Sequence, residues 1–234
     1  MKNILITGSE GIIASVIIPT LTHTYQVFKL DKLSSNPHTY KEDISDRIQL
    51  DILFAKLPNI DAIIHLAGIS DPKGSWEEIL AHNIIGTKNI YEMAHKFSIK
   101  KVVYASSNLV MRGYQLDGQH NISITLPVRP NSYYAVSKVF GEAIARMYYE
   151  NFGIRSICLR IGTVNKYDDP TVSESSKRKW LSHADTIQVF EKALDSDIEF
   201  GVFYATSANS DPIFELAQTI TKLNYHPKDG YGKT

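Results

Sequence analysis

The chain has 234 residues, of which 43% are hydrophobic and 21% are charged, so we expect one ordered globular domain and exclude a predominantly disordered chain. Its 25 basic residues balance its 25 acidic residues, which argues against nucleic acid as a partner, because nonspecific binding to phosphates requires a basic surplus. The single cysteine excludes a disulfide framework, and without an apolar run of about 18 residues or a signal peptide we expect a cytoplasmic protein with no membrane segment.

Short apolar segments alternate along the chain with longer segments of helical spacing. Strands are predicted at Lys2–Thr7, Gln26–Leu30, Asp61–Leu66, Lys101–Ala105, Ser156–Ile161 and Phe200–Ala205. Helices are predicted at Gly11–Leu21, Trp76–Phe97, Ser132–Phe152, Ser182–Leu194 and Pro212–Leu223. This alternation predicts an α/β fold with a doubly wound parallel sheet of the Rossmann type. Ligands of such sheets bind outside the carboxyl ends of the strands, and two predicted loops that follow strand ends, Met111–Pro130 and Val164–Lys179, can line such a site.

The first strand is joined to the first helix by a glycine turn that runs from Gly8 to Ala14. Gly8 permits a tight turn, Gly11 lets the backbone approach a pyrophosphate, and the small Ala14 lets helix and strand pack closely. The first residues of the helix, Ile12 and Ile13, then offer unpaired N–H groups and the positive end of the helix dipole to a phosphate. The turn therefore predicts a dinucleotide site, and the alternative is a glycine turn without a ligand.

Two acidic residues at later positions suit the adenosine end of a dinucleotide. Asp31 ends the second strand, 23 residues after the first glycine of the turn. A carboxylate there can accept hydrogen bonds from a ribose diol and repel a 2′-phosphate, which favours NAD over NADP, although Lys32 weakens this preference. Asp43, followed by Ile44, is predicted to accept a hydrogen bond from the adenine amine. The alternative for Asp31 is an acid in a solvated turn. For Asp43 the alternative is a surface turn, with Asp51 as a rival candidate for the adenine contact.

Tyr134 and Lys138 are four residues apart in a long predicted helix, and this spacing puts both side chains on one face. A free tyrosine titrates near about pH 10, and a nearby ammonium favours the phenolate, so Lys138 is expected to lower the pKa of Tyr134. Tyr134 is then an acid/base that exchanges a proton with a substrate hydroxyl while hydride moves to or from a nicotinamide. Ser107, at the end of the preceding strand, can hold the same oxygen. The alternative is an ordinary amphipathic helix.

Six short motifs follow one another across about two thirds of the chain, namely Thr7-Gly8-x-x-Gly11, His65-Leu66-Ala67-Gly68, Asn83-x-x-Gly86-Thr87, Ala105-Ser106-Ser107, Tyr134-x-x-x-Lys138 and Leu159-Arg160-Ile161-Gly162. With these motifs the chain resembles the extended short-chain dehydrogenases/reductases, the NAD-dependent epimerase/dehydratase family. The resemblance implies that Ser107, Tyr134 and Lys138 are the catalytic residues and that Asn83 braces the active site. It also implies further contacts to NAD from Leu66, Ala67, Gly68, Tyr134, Lys138 and Ile161.

Four more segments are similar to the uronate dehydrogenase branch of this family, namely Gly68-Ile69-Ser70, Ser106-Ser107-Asn108, Trp180–Asp185 and Ser207-Ala208-Asn209. This similarity implies that the substrate contacts Ser70, Ser107, Asn108 and Thr163. It also implies a single NAD-binding domain, 1–234, with a small C-terminal substrate lobe formed by about 164–182 and 206–234.

The chain departs from that branch at two positions. Leu109 stands where a histidine is frequent, and Ser175 stands where the branch has an arginine for the substrate carboxylate. Arg178 is the nearest arginine, and because a guanidinium fork suits a carboxylate, we expect Arg178 to bind the substrate. The alternative is a solvated basic loop from Lys177 to Lys179.

These residues predict an NAD-dependent oxidoreductase that removes hydride from a CH–OH group of a sugar or sugar acid. The resemblance implies oxidation of a hexuronate to an aldarolactone. The alternatives are an NAD-dependent sugar epimerase or dehydratase and a non-catalytic dinucleotide sensor. No metal is expected, because none of the eight histidines has HxxxH or HExxH spacing. Two long helices often form a homodimer in this family, and the candidates here are Trp76–Phe97 and Ser132–Phe152.

Overall fold

The computed structural model describes residues 1–232, and its sheet consists of β1 (Lys2–Thr7), β2 (Tyr25–Leu30), β3 (Ala62–His65), β4 (Lys101–Ser107), β5 (Arg155–Ile161) and β6 (Phe200–Ala205). The strand order is β2-β1-β3-β4-β5-β6, and every neighbouring pair is parallel. This arrangement confirms the predicted doubly wound sheet. The register pairs Thr7 with His65 and Ser107 with Ile161, so the carboxyl ends of the central strands meet at one edge.

Helices cover both faces of the sheet, because successive strand residues point to opposite sides. They are α1 (Ile12–Leu21), α2 (Arg47–Phe54), α3 (Trp76–Glu78), α4 (Gly86–Lys96), α5 (Arg112–Leu116), α6 (Tyr133–Phe152), α7 (Glu174–Lys177), α8 (His183–Asp195) and α9 (Ala217–Leu223). Ile4 and Ile6 pack into one core with α1 and α8, whereas Leu5 packs into the other with α2, α4 and α6. The fold is therefore a three-layer sandwich with a core on each side of the sheet.

Two helices differ from the sequence prediction. The helix α2 was not predicted; Asp46 caps it by accepting hydrogen bonds from the backbone nitrogens of Ile48 and Gln49. The predicted helix Pro212–Leu223 was wrong in its first part, because the structure begins the helix only at Ala217. The segment before it instead bridges to the loop after β4, where Ile122 donates a backbone hydrogen bond to the carbonyl of Ile213.

Both predicted loops contain short helices. The first begins at the last residue of the 3₁₀ turn Asn108–Met111 and includes α5, and the second includes the 3₁₀ turn Pro170–Val172 and α7. The predicted helix Trp76–Phe97 is continuous through Lys96, but its middle, Ile79–Ile85, is π-helical. Within residues 1–232, no helix combines the length and the apolar character needed to cross a membrane.

The two segments predicted to form the substrate lobe contact each other. The carbonyl of Trp180 accepts hydrogen bonds from the backbone nitrogen of Ser207 (2.8 Å) and from Nδ2 of Asn209 (2.9 Å). The backbone nitrogen of Ser182 donates to Oγ of Ser207 at 2.9 Å. These bonds fix the two segments side by side next to the end of β5, while residues 233–234 of the predicted lobe lie outside the described chain.

Candidate active site

A cavity of about 420 Å³ lies beside the glycine turn at the carboxyl ends of β1 and β2. It brings together most of the residues predicted to bind the cofactor: Gly8, Gly11, Ile12, Ile13, Asp31, Ile44, Leu66, Ala67 and Gly68. Gly8 has a φ of +73°, and a Cβ there would lie 2.6 Å from the backbone nitrogen of Ala67, so only glycine suits the turn. Within residues 1–232, no side chain caps α1 and no acidic residue occupies its first turn. Its N-terminal N–H groups are therefore free to bind an anion such as pyrophosphate.

Asp31 lies on the wall of this cavity, in the position that suits a ribose. Its carboxylate accepts hydrogen bonds from the backbone nitrogens of Glu10 (3.0 Å) and Leu33 (2.9 Å). Because two carboxylate oxygens offer about four acceptor sites, capacity for a ribose diol remains. The glycine turn and Asp31 together fit a dinucleotide without a 2′-phosphate.

The Asp43 carboxylate is engaged by neighbouring residues. It accepts hydrogen bonds from the backbone nitrogen and the hydroxyl of Ser45, both at 2.8 Å, and lies 3.8 Å from Lys32 and 3.4 Å from His82. The cavity beside the glycine turn is lined by Glu42 and Ile44, the two residues that flank Asp43 in the sequence. A contact of Asp43 with adenine stays a prediction.

A second cavity, of about 410 Å³, lies at the carboxyl ends of β4 and β5. It brings together the predicted catalytic residues and four of the five predicted substrate residues: Ser70, Ser107, Asn108, Tyr134, Lys138 and Thr163. Ile161, a predicted NAD contact, lines the same cavity. The two cavities share walls at Ile13, Leu66, Gly68, Ile69, Ser70 and Val164. A ligand in the first cavity can therefore extend to the residues that surround Tyr134.

The side chains of Tyr134 and Lys138 are buried on the face of α6 that packs against β4. The Lys138 ammonium donates a hydrogen bond to the carbonyl of Ala105 at 2.8 Å and lies 5.6 Å from the centre of the Tyr134 ring. Burial lowers the pKa of Lys138 to about 8. At neutral pH Lys138 is therefore still mainly an ammonium, which can favour a phenolate beside it.

The pKa of Tyr134 differs from the expectation drawn from the sequence. Burial raises the pKa of this phenol above its ordinary value, and the neighbouring Ser107 hydroxyl opposes that rise. We expected the Lys138 ammonium to lower the pKa, but the contribution that opposes burial comes from Ser107 and not from Lys138. With a raised pKa, Tyr134 is a neutral phenol at neutral pH.

The π-helical segment places Asn83 beside the site. Its Oδ1 accepts a hydrogen bond from the backbone nitrogen of Ile69 at 2.7 Å, and its Nδ2 donates to the Ile69 carbonyl and to the Ser137 hydroxyl, both at 3.0 Å. Asn83 thus connects Ile69, in the segment that follows β3, to the helix that carries Tyr134. Such π-helical turns are rare overall, and those that occur are often at functional sites. No sequence pattern predicted this one.

A buried ion pair anchors the same helix to the sheet. Glu142, one helical turn beyond Lys138, accepts hydrogen bonds from Nε and Nη2 of Arg160 at 2.8 Å and from the hydroxyl of Ser106 at 2.6 Å. Ser106 precedes Ser107, the predicted catalytic serine, on β4, and Arg160 lies on β5. The pair therefore fixes α6 relative to both strands that carry the site.

The structure does not bring Arg178 together with the other predicted substrate residues. Its guanidinium pairs with the Asp211 carboxylate at 3.2 Å and with the His120 ring, away from the cavity lining. The next residue, Lys179, is 8% exposed and lines the cavity instead. The sequence showed only three consecutive cations, so it could not tell which of them turns inward.

The fold and the site indicate a class of protein: an NAD-dependent oxidoreductase with a glycine turn beside one cavity and a Ser, Tyr and Lys set beside the next. Comparison with known families agrees with this class. The chain belongs to the NAD-dependent epimerase/dehydratase family, whose model matches residues 4–184. This membership confirms the predicted family and, with it, an NAD-dependent enzyme.

Three similar proteins illustrate the range of the family. The chain is 32% identical to a uronate dehydrogenase from Pseudomonas syringae pv. tomato, over 97% of this chain and 82% of that protein. It is 27% identical to an NAD-dependent glucose-6-phosphate dehydrogenase from Haloferax volcanii, over 97% of this chain and 93% of that protein. A crystal structure of a mutant uronate dehydrogenase from Agrobacterium tumefaciens, complexed with NAD, superposes with a TM-score of 0.86 at 28% identity, covering 99% of this chain and 86% of the other.

Proposed function

We propose that this protein is an NAD-dependent sugar dehydrogenase that oxidises the hemiacetal carbon of a hexuronate to the aldarolactone. The observation that carries the proposal is the continuity of the two cavities, which puts Ser107, Tyr134 and Lys138 at the far end of a dinucleotide site. Similarity to uronate dehydrogenases over nearly the whole chain supports the same substrate class.

The cofactor is held by main-chain groups and by one carboxylate. The N–H groups of Ile12 and Ile13 bind the pyrophosphate, and Asp31 binds the adenosine ribose. Lys138 lies beside Tyr134, where it can bind the nicotinamide ribose. When NAD is bound, it supplies the hydride acceptor for the reaction.

The protein itself moves the proton. Ser107 donates a hydrogen bond to the substrate hydroxyl, and Tyr134 accepts the proton of that hydroxyl as the C–H bond gives up its hydride. The carbon then gains a C=O bond, which completes the lactone. Tyr134 must be a phenolate to accept this proton, so it first releases its own proton to solvent. The Lys138 ammonium favours that form, because a cation close to the ring stabilises the negative oxygen. The substrate loses one proton and one hydride, and no further reactant is needed.

A substrate screen tests the proposal. Purified protein is mixed with NAD and, separately, with glucuronate, galacturonate, glucose, galactose and glucose 6-phosphate, and the absorbance of the reduced nicotinamide is followed. We expect turnover with at least one hexuronate. Absence of reduced cofactor with every sugar, together with interconversion of two sugars by NAD-loaded protein, would replace the dehydrogenase by an epimerase.

A matched pair of variants tests the role of Tyr134. Tyr134→Phe removes one hydroxyl from the cavity, whereas Tyr133→Phe removes one from a neighbouring ring that is 59% exposed. We expect Tyr134→Phe to lose about 10²–10⁴-fold in kcat, the usual contribution of acid–base catalysis, with an unchanged Kd for NAD. Retention of more than about a tenth of the wild-type kcat would remove Tyr134 from this role.

We also propose that two copies associate through the outer faces of the two long helices. Large apolar side chains are exposed on these helices, namely Trp76, Ile85, Tyr133, Val136, Met147 and Phe152. Light scattering after size exclusion tests this, and a monomer mass at micromolar concentration would refute it. A charged side chain in place of Val136 should dissociate the dimer.

A further inference from the structure

Lys179 is a largely buried cation whose ammonium has no hydrogen-bond or ion-pair partner among residues 1–232. The residue is 8% exposed and lines the cavity that also contains Ser107 and Tyr134. Across residues 1–232, no carbonyl, hydroxyl or carboxylate accepts a hydrogen bond from its Nζ, and no acidic side chain lies within ion-pair distance. The charged group that acts on the pKa of Lys179 is Arg112, another cation. Buried ammonium groups are normally paired, because an isolated buried charge is strongly unfavourable.

Backbone hydrogen bonds hold Lys179 next to the end of β5, beside the cavity. Its carbonyl accepts a hydrogen bond from the Thr163 nitrogen at 2.8 Å, and its own nitrogen donates to Ser176 at 3.0 Å. At Gly162, a Cβ would overlap the Lys179 carbonyl oxygen, so glycine is what allows the loop to approach the end of β5. The backbone position of Lys179 is therefore determined by its contacts with the end of β5 and not by the surface loop alone.

The surroundings of Lys179 suit a small polyhydroxylated anion. Thr163, Ser70 and Asn108 line the same cavity and offer hydroxyl and amide groups. Burial lowers the pKa of Lys179, and Arg112 lowers it further; an anion beside the ammonium would reverse this shift. A ligand that brings its own negative charge would thus complete a site that residues 1–232 leave with an unpaired charge.

We propose that Lys179 binds the anionic group of the sugar substrate and selects anionic over neutral sugars. The inference rests on the proposed dehydrogenase function and names the residue that sets its substrate class. We assign the anion as the carboxylate of a hexuronate, since one ammonium and its neighbouring hydroxyls satisfy a single negative charge. The phosphate of a sugar phosphate is the other source of the same chemistry, and the test separates the two.

The test compares the kinetics of four variants on matched sugars. Lys179→Met keeps the length of the side chain and removes its charge, Arg178→Met changes the adjacent cation, and Lys177→Met is the control, since that lysine pairs with Glu174 on the surface. The substrates are glucuronate, glucose and glucose 6-phosphate. We expect Lys179→Met to raise KM for glucuronate about ten- to a hundredfold, the usual value of a charge-assisted hydrogen bond, with little change for glucose. Lys179→Arg should restore most of the preference.

Several outcomes overturn the assignment. Equal effects on glucuronate and glucose would make Lys179 a structural residue, and a loss confined to Arg178→Met would return the role to Arg178. A preference of the wild type for glucose 6-phosphate, lost in Lys179→Met, would keep Lys179 as the anion site but replace the carboxylate by a phosphate. Circular dichroism and the Kd for NAD confirm that each variant is folded.

Calorimetry separates this inference from the proposed function. Glucuronate and glucose are titrated into the complex with reduced cofactor, which cannot be reduced again, so binding is measured without turnover. If no sugar is oxidised but glucuronate binds to the wild type and not to Lys179→Met, the dehydrogenase proposal fails and the anion site stands. If glucuronate is oxidised and Lys179→Met binds it as the wild type does, the anion site fails and the dehydrogenase proposal stands. Binding of neither sugar overturns the anion site.

Discussion

The buried ion pair of Glu142 and Arg160 predicts a large loss of stability when one partner is neutralised. Glu142→Gln keeps the shape of the side chain but leaves the guanidinium without a carboxylate. The two side chains are 10% and 5% exposed, respectively, and the carboxylate accepts three hydrogen bonds, one of them from Ser106. Removing one partner of a buried pair costs about 3–5 kcal/mol. At about 2–4 °C per kcal/mol for a chain of this size, the expected fall in Tm is roughly 6–20 °C.

A matched control lies on the same helix. Arg146 and Glu150 also form an ion pair, but their side chains are 53% and 54% exposed. Exposed pairs of this spacing contribute about 0.3–0.5 kcal/mol, so Glu150→Gln should leave the free energy of unfolding almost unchanged. Urea unfolding and scanning calorimetry of both variants provide the measurement. A Glu142→Gln variant that loses no more stability than Glu150→Gln would refute the reasoning.

A double variant checks the physical cause of the loss. If the unpaired buried charge of Arg160 dominates, Glu142→Gln combined with Arg160→Met should be more stable than Glu142→Gln alone, because the second change removes that charge. If the double variant is the less stable of the two, packing and not desolvation of the guanidinium determines the loss.

Three further predictions follow from the site. Asp31→Ala should weaken NAD much more than NADP in calorimetry, and equal losses would exclude a ribose contact. Because burial raises the pKa of Tyr134 and oxidation needs a proton acceptor, kcat for sugar oxidation should rise from neutral to alkaline pH; a flat profile contradicts this. Asn83→Leu leaves the backbone groups of Ile69 without partners, so the free energy of unfolding should fall by about 1–3 kcal/mol and kcat should fall with it. Ser137→Ala, which removes only one of the three hydrogen bonds of Asn83, should have the smaller effect on both measurements.

The sheet and the cofactor cavity could be predicted because their signals are local. Each strand is a short apolar run that ends at a polar residue or glycine, and the glycine turn carries its own conformational requirement at Gly8. The spacing of Tyr134 and Lys138 is likewise a property of one helix. For these features the residues that determine the structure are close together in the sequence.

The rest of the site depends on contacts between distant segments. Asn83 is positioned by Ile69 and by Ser137, 14 and 54 residues away. The inward turn of Lys179, and not of Arg178, follows from the close approach of its loop to Gly162. The raised pKa of Tyr134 follows from burial, which no spacing reports. Such features depend on the packed structure, so a single sequence leaves several arrangements equally acceptable.

The π-helical segment Ile79–Ile85 is equivalent to an α-helix that carries one residue too many. Each residue of a regular helix turns the chain by about 100°. The extra residue therefore rotates the side chains that follow the segment relative to those that precede it. Trp76 thereby contacts the exposed ring of Tyr133, while Ile90 points into the core. Deleting one residue within the segment would restore regular geometry but rotate Asn83 away from the active site. A single-residue gap at this place in a relative's sequence would therefore mark an enzyme that supports its catalytic tyrosine by different means.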